Sequence, residues 1–192
     1  MNPVSLRSFR TIGELAERCG NYCWAESQLF TRTGTWAGGD GDAGVRLFCS
    51  TVSRQHGLLA AQWRDRLPVR AGVDRAALMV PPSGGLVGSF ELLDAEPDLV
   101  VRLAGLLGVL LPRLLDSYRD DLARAAPVRE AAVAAVLRQA LTVGAAEEAG
   151  GRRVLDRCQK GVQRGERVTE FVSSLQESFS GPRGIFPDDW AS

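Results

Sequence analysis

The chain contains a single histidine, His56, which lies in the stretch SRQHGLLAAQW at residues 53–63. Val52, His56 and Leu59 recur at helical spacing, so a helix would place the imidazole on its apolar face. Glu26 likewise falls on the apolar face of an earlier predicted helix, between Cys23 and Phe30. A buried carboxylate needs a hydrogen-bond partner, a cation or a proton, and an imidazole titrates near neutral pH. These two residue types therefore indicate either acid–base chemistry or metal ligation.

Glu26 and His56 lie at similar sequence distances on either side of a glycine-rich segment, AGGDGDAG at residues 37–44. If this segment joins two antiparallel helices, both side chains reach the same depth of a bundle. The sequence thus predicts a contact between them. Functionally, a carboxylate beside an imidazole raises its proton affinity and makes a general acid–base pair. The alternative is a purely structural pair that fixes the register of the two helices.

Four further polar residues are candidates for lining a pocket with this pair. Glu147 is in phase with the apolar stripe of a later helix, and Glu148 beside it is nearly as well placed. Tyr118 is a hydrogen-bonding or radical candidate on the third stripe, although a core tyrosine is the commoner case. Ser53 lies about one turn before His56. The run RDDLAR at residues 119–124 reads as a solvated helix face.

Apolar periodicity predicts an all-α protein and no strands. The first helix starts either at Ser5 or at a capping-box pattern beginning at Thr11 and carries Phe30 in its buried stripe. Gly34 and the AGGDGDAG segment at residues 37–44 are expected to end it. The second helix stops at Leu67, before a proline. At helical rise, each would be roughly 30–40 Å long, which is typical of the long helices of a bundle.

A long crossover is predicted at residues 68–88, where VPPSGGL interrupts any periodic pattern, with one short helical turn around Asp74 to Met79. The third helix then begins at Ser89 or Pro97 and runs to Arg124, with a kink expected at Pro112.

A fourth helix is predicted to open at Pro127, with a break at the glycine pair 150–151 as an option. Its expected core positions are Val133, Leu137, Ala140, Gly144, Glu147, Gly151, Val154 and Cys158. A short fifth amphipathic helix carries Val168, Phe171, Leu175 and Phe179. We expect one domain over residues 1–180 and a loosely packed C-terminal tail over 181–192.

Composition narrows the class of protein. The chain has 192 residues, of which 45% are hydrophobic, and 23 basic residues balance 23 acidic ones. This balance favours neither nucleic acid nor an anionic membrane as a partner. The four cysteines form no C-x-x-C pair, so we expect reduced thiols and a cytoplasmic protein without a structural zinc. The apolar run 99–115 is too interrupted for a membrane span, and no signal peptide is expected.

Three segments together resemble a known family: WAESQLF (24–30), SRQHGLLAAQWRDRLP (53–68) and LPRLLDSYRDDLARAAPV (111–128). In this order, with the crossover between the last two, they look like the ferritin-like proteins common in actinobacteria. Those proteins are distant relatives of the di-iron carboxylate proteins, including the tRNA hydroxylase branch. The resemblance covers about residues 6–158. It implies a ferritin-like up-down four-helix bundle with a long crossover and a short fifth helix.

The resemblance also implies where metal ligands would stand. Glu26 matches the first-helix glutamate, and His56 matches the histidine of the first Glu-x-x-His motif, where Ser53 replaces the glutamate. The chain has no second histidine for the second motif. We therefore expect a degenerate site without a cofactor. If iron or manganese binds, its ligands would be Glu26, His56 and Glu147.

On this basis the expected function is a metal-independent enzyme of actinobacterial specialised metabolism. His56 and Glu26 would act as general acid and base on a small molecule, in space left by Gly144, Gly150 and Gly151.

Two alternatives stay open. The chain could be a non-catalytic accessory subunit that forms a homodimer or pairs with another enzyme through its fifth helix and the tail residues Phe186 and Trp190. It could also be a residual di-iron oxygenase-like or tRNA-hydroxylase-like protein.

Overall fold

The computed structural model describes residues 10–69, 72, 74–158, 162–179 and 184–186. The elements in these ranges are all helices, which confirms the predicted all-α class. In the same ranges, no helix combines the length and the apolar character that crossing a membrane would require.

The first two helices form an antiparallel hairpin. Helix α1 spans Ile12–Gly38, and Thr11 caps it through the predicted capping box with Glu14. The predicted end within residues 37–44 is confirmed, whereas the end signal read at Gly34 is wrong. This glycine lies inside the helix, where a Cβ would sit 3.0 Å from the Ser53 hydroxyl, so its small size permits close approach of the next helix rather than termination. The alternative start at Ser5 lies outside the described residues.

Helix α2 spans Ala43–Arg64 and is capped by Asp42, whose carboxylate accepts hydrogen bonds from two backbone amides. The prediction that Phe30 of α1 belongs to the buried stripe is wrong, since its side chain is 48% exposed. Its ring instead lies over Gly57 of α2, where a Cβ on residue 57 would be 2.9 Å from the nearest ring atom.

The crossover contains the predicted short helical turn, a 3-10 turn at Ala76–Leu78. It also contains a helix that was not predicted as a separate element, α3, which spans Gly84–Ala95 with Ser83 as its cap. The predicted helix start at Ser89 is therefore wrong, because the Ser83 hydroxyl accepts from the amide of Leu86 and begins the helix earlier. Pro97 then separates α3 from the next helix by disfavouring helical geometry at the preceding residue.

Three consecutive segments form one continuous helix, α4. They are Leu99–Gly105, a π-helical turn Leu106–Leu110, and Leu111–Arg124. The π turn occurs where the sequence predicts a kink. The Pro112 ring would clash with the carbonyl four residues earlier, and the wider turn accommodates this because the amide of Leu111 bonds the carbonyl of Leu106 instead.

Helix α5 spans Ala131–Cys158 and helix α6 spans Val162–Glu177. Helix α5 begins later than the predicted Pro127, which lies in a turn. The glycine pair does not break it: a Cβ on Gly151 would lie 2.2 Å from the Leu107 side chain, so this glycine serves helix packing. Cys158, expected in the core, is only half-buried at the helix end.

Side-chain contacts give the direction of each helix in the bundle. Tyr22 and Trp36 of α1 meet Asp121 and Arg102 of α4 respectively, so these helices are antiparallel. Gly144 and Gly151 of α5 lie against Leu115 and Leu107 of α4, which makes that pair antiparallel too. The four long helices therefore run up, down, down and up, with the crossover between α2 and α4.

The C-terminal segment packs more tightly than predicted. Phe171 and Leu175 of α6 cover Gly105 of α4. Ile185 is 2% exposed, and its amide donates to the Ser117 hydroxyl at 2.9 Å. The expectation of a loosely packed tail is thus wrong for residues 184–186, because an apolar side chain is buried there. The remaining residues of 181–192, including Trp190, lie outside the described ranges.

Candidate functional site

Glu26 and His56 contact each other in the core, as their positions in the sequence predict. The imidazole Nδ1 of His56 lies 2.5 Å from Oε2 of Glu26. The side chains of His56 and Glu26 are 2% and 0% exposed, respectively. The antiparallel α1–α2 hairpin brings them to the same depth. Because the pair is sealed from solvent, the charge on either group is stabilised by the other and not by water.

Tyr118 of α4 joins this pair. Its hydroxyl donates a hydrogen bond to Oε1 of Glu26, and the side chain is 1% exposed. Burial, followed by the negative charge of Glu26, raises the pKa of Tyr118 well above its ordinary value. The phenol therefore stays protonated and acts as a donor. Both oxygens of Glu26 are thus occupied, one by Tyr118 and the other by His56.

Glu147 of α5 faces the opposite edge of the imidazole. Its Oε2 lies 3.5 Å from Nε2 of His56, which is longer than an ordinary hydrogen bond. In the described part of the chain, Nε2 and both Glu147 oxygens are buried without any hydrogen-bond partner. Glu147, at 6% exposed, is the carboxylate that faces the core, whereas Glu148 is half-buried. We call Glu26, His56, Tyr118 and Glu147 the core tetrad.

The electrostatics of the core tetrad keep protons in it near neutral pH. Burial lowers the pKa of His56, but the charges of Glu26 and Glu147 outweigh it and raise the pKa from 6.5 to about 9. Burial raises the pKa of Glu147 from 4.5 to about 7; the positive charge of His56 opposes this rise and the negative charge of Glu26 adds to it. The two carboxylates thus favour the imidazolium form of His56, and burial favours the protonated form of Glu147.

Ser53, the fourth pocket candidate, does not face the core tetrad. Its hydroxyl donates to the backbone carbonyl of Phe30 at 2.9 Å. This contact ties α2 to α1 and leaves no free hydroxyl for a ligand.

The residues present do not fit a di-iron centre. His56 offers only Nε2, since Nδ1 is held by Glu26, and the Glu26 oxygens are themselves occupied. That leaves one nitrogen and the carboxylate of Glu147. Across the residues that the structure describes, no three His, Cys, Asp or Glu side chains are arranged to hold a metal ion. A ferritin-type centre requires more ligands than this.

A second polar cluster, missed by the sequence analysis, lies next to the core tetrad. Asp121 accepts a hydrogen bond from Tyr22 at 2.7 Å and one from Arg10 at 2.5 Å, and it lies 3.3 Å from Nε of Arg18. Asp121 is 3% exposed, so the interpretation of RDDLAR as a solvated face is wrong at this position. A signal was available, because Asp121 follows Tyr118 by three residues and shares its stripe.

An aromatic layer separates the two clusters. The ring centroids of Tyr22 and Tyr118 are 4.6 Å apart, and that of Trp63 is 4.9 Å from Tyr22. Phe186 closes the layer, with its ring against Tyr22 and beneath the guanidinium of Arg18. One of the two aromatic residues proposed for an exposed partner surface is thus engaged inside the molecule.

Two surface cavities lie at the end of the bundle where α1 is joined to α2, and Asp42 lines both. One of about 610 Å³ lies between the start of α4 and the end of α5 and is lined by charged residues, including Asp98 and Arg164. The second, of about 590 Å³, is a groove along the seam of α2 and α5. His56 and Glu26 line neither. Gly144, expected to leave space, is covered by Leu115, whereas Gly150 does line the groove.

Comparison with known proteins gives no further identification: this chain is matched by no family model, no curated protein and no solved structure. The class of protein is therefore defined by its own architecture, as an all-helical bundle with a buried, proton-holding polar core.

Proposed function

We propose that the protein is an enzyme that performs general acid–base chemistry on a small molecule, without a metal. The observation that carries this proposal is the meeting of Nε2 of His56 with Glu147, two buried groups that have no other hydrogen-bond partner among the described residues. Unsatisfied buried polar groups are costly and mark functional positions. A substrate oxygen beside this contact would satisfy both once the core around it opens, since neither group lines either surface cavity.

The positions of the four side chains suggest a division of roles. Glu147, with its pKa raised to about 7, is suited to accept a proton from the substrate. The His56 imidazolium is suited to donate one from Nε2, since its pKa is raised to about 9. Glu26 and Tyr118 are positioning residues, because they fix the imidazole through Nδ1. This changes the expected pair, in which Glu26 itself was the base.

We also propose that the scaffold is ferritin-like. The up-down-down-up order of α1, α2, α4 and α5 with one long crossover supports this relationship. The donor set around His56 argues against the oxygenase-like and tRNA-hydroxylase-like alternative, since a single nitrogen and one carboxylate are too few ligands. Both observations are consistent with a ferritin-like bundle in which the core tetrad occupies the place of the metal site.

Solvent exchange tests this proposal with a panel of small molecules in place of a single substrate. The protein is incubated in D₂O with ketones, enones and carboxylic acids, and deuterium incorporation at carbon is followed by NMR. We expect catalysed exchange on at least one panel member. Glu147→Gln should reduce the rate by about 10²–10⁴-fold, whereas Glu148→Gln, a change at the half-buried neighbour, should leave it unchanged. Equal rates for Glu147→Gln and the wild type, or no exchange across the panel, would overturn the proposal.

A further inference from the structure

The groove along α2 and α5 has the size and lining of a small-molecule site. Its volume of about 590 Å³ is within the range of ligand pockets. Leu47 and Phe48 of α2 form one apolar wall, and Gly150 and Val154 of α5 form the other. Leu47 is 72% exposed, so the groove presents apolar surface to solvent that a ligand body would cover.

The polar lining of the groove is mainly cationic. Arg153 and Arg157 line it from successive turns of α5. Arg157 interacts electrostatically with Asp42, which also lines the groove and caps α2. In the part of the chain that the structure describes, Arg153 makes no ion pair. Its guanidinium lies beside Gly150, where a Cβ on residue 150 would be 3.9 Å from the nearest guanidinium nitrogen. Arg153 is therefore the cation available to a ligand, and its planar fork suits a carboxylate.

The groove lies apart from the core tetrad, since none of the four tetrad side chains lines it. Gly150 lines the groove and follows Glu147 by three residues on α5, but Glu147 is buried against His56. The ring of Phe48 lies over Gly150, where a Cβ would be 3.1 Å from the nearest ring atom. A molecule bound in the groove would thus lie outside the core tetrad.

We infer that this groove binds an amphipathic monocarboxylate, with the carboxylate on Arg153 and the apolar body between Phe48 and Val154. The inference goes beyond the proposed function, since it assigns a binding site outside the core tetrad. A neutral or cationic molecule of the same shape would lose the interaction with Arg153 and bind more weakly.

Calorimetric titration with three matched probes tests the inference: octanoate, octanol and octylammonium. We expect octanoate to bind at least tenfold more tightly than the other two. Arg153→Gln should abolish this preference, while Arg152→Gln should keep it, since Arg152 is an exposed neighbour outside the groove lining. Thr51→Trp, which fills the groove from an exposed position of α2, should block binding of all three.

The outcomes separate this inference from the proposed function. Equal affinity for octanoate and octanol, or an octanoate affinity that Arg153→Gln leaves unchanged, would overturn the carboxylate site. Deuterium exchange lost in Glu147→Gln would still support acid–base catalysis in that case. Conversely, octanoate binding that depends on Arg153 and Thr51, with no exchange on any substrate, would support the binding site and overturn the catalytic proposal.

Discussion

Glu26 and Glu147 approach the same imidazole from opposite edges. Glu26 holds Nδ1 of His56 at 2.5 Å, while Glu147 stands 3.5 Å from Nε2. The first carboxylate is fully committed to hydrogen bonds, and the second has none in the described residues. This asymmetry assigns positioning to one glutamate and proton exchange to the other.

The single histidine makes the core tetrad directly measurable, since its imidazole gives one resolved NMR signal. We predict that His56 titrates with a midpoint near its raised pKa of about 9. In Glu147→Gln the midpoint should fall by about 1 pH unit or more, because a nearby negative charge is lost. Glu148→Gln serves as the control and should leave the midpoint in place. A midpoint near 6.5 in the wild type would contradict the buried ion pair.

Folding stability should fall as the pH rises. The folded-state pKa values of His56 and Glu147 are both raised, to about 9 and about 7, so the folded protein binds more protons than the unfolded chain. The contribution of each group is complete below its unfolded pKa and is lost as the pH passes its folded value. From His56 alone we expect a loss on the order of 3 kcal/mol between about pH 6 and pH 10.

Urea denaturation from about pH 4.5 to pH 10 measures this dependence. Glu147→Gln should remove the part of the slope between about pH 5 and pH 7, where the wild-type carboxyl releases its proton, and should reduce the His56 part because the pKa of His56 falls in this variant. A stability that is constant or rises over the whole range would contradict the proton-holding core.

The buried Asp121 should be far more important for stability than a surface aspartate on the same helix. Asp121→Asn leaves the guanidiniums of Arg10 and Arg18 facing an uncharged amide, and we expect a cost of about 3–5 kcal/mol. Asp120, the exposed neighbour on the same helix, is the matched control, and Asp120→Asn should change the free energy of unfolding by about 0.5 kcal/mol or less. Free energies of unfolding in urea check both values; similar costs at the two positions would show that the cluster is not structural.

Gly20 should be essential for docking of the crossover onto α1. A Cβ there would lie 2.0 Å from the carbonyl oxygen of Leu78, and because that atom is backbone the crossover would have to move. Gly20→Ala should therefore cost about 1–3 kcal/mol, although alanine favours helix. At Gly165 of α6 an ideal Cβ meets nothing, so Gly165→Ala should stabilise the protein by about 0.5–1 kcal/mol. Thermal denaturation compares the two, and a stabilised Gly20→Ala variant would refute the close packing.

The sequence by itself determined the presence of α1, α2, α4, α5 and α6 and the contact between Glu26 and His56, although not α3 or the start of α5. Helical phase fixes which side of a helix a residue occupies, and a short connection fixes how two consecutive helices pair. The Thr11 cap follows from equally local chemistry. These features depend on residues close in sequence or on one hairpin, so pattern alone predicts them.

Only the tertiary structure decided which other groups meet this pair. Tyr118 of α4 reaches Glu26, and Glu147 of α5 reaches the imidazole, across long connections whose path no periodic pattern specifies. The π turn that accommodates Pro112 and the burial of Ile185 likewise depend on packing between distant segments. The sequence thus determined the direction of each side chain, whereas the packing of the bundle determined its partners and their pKa values.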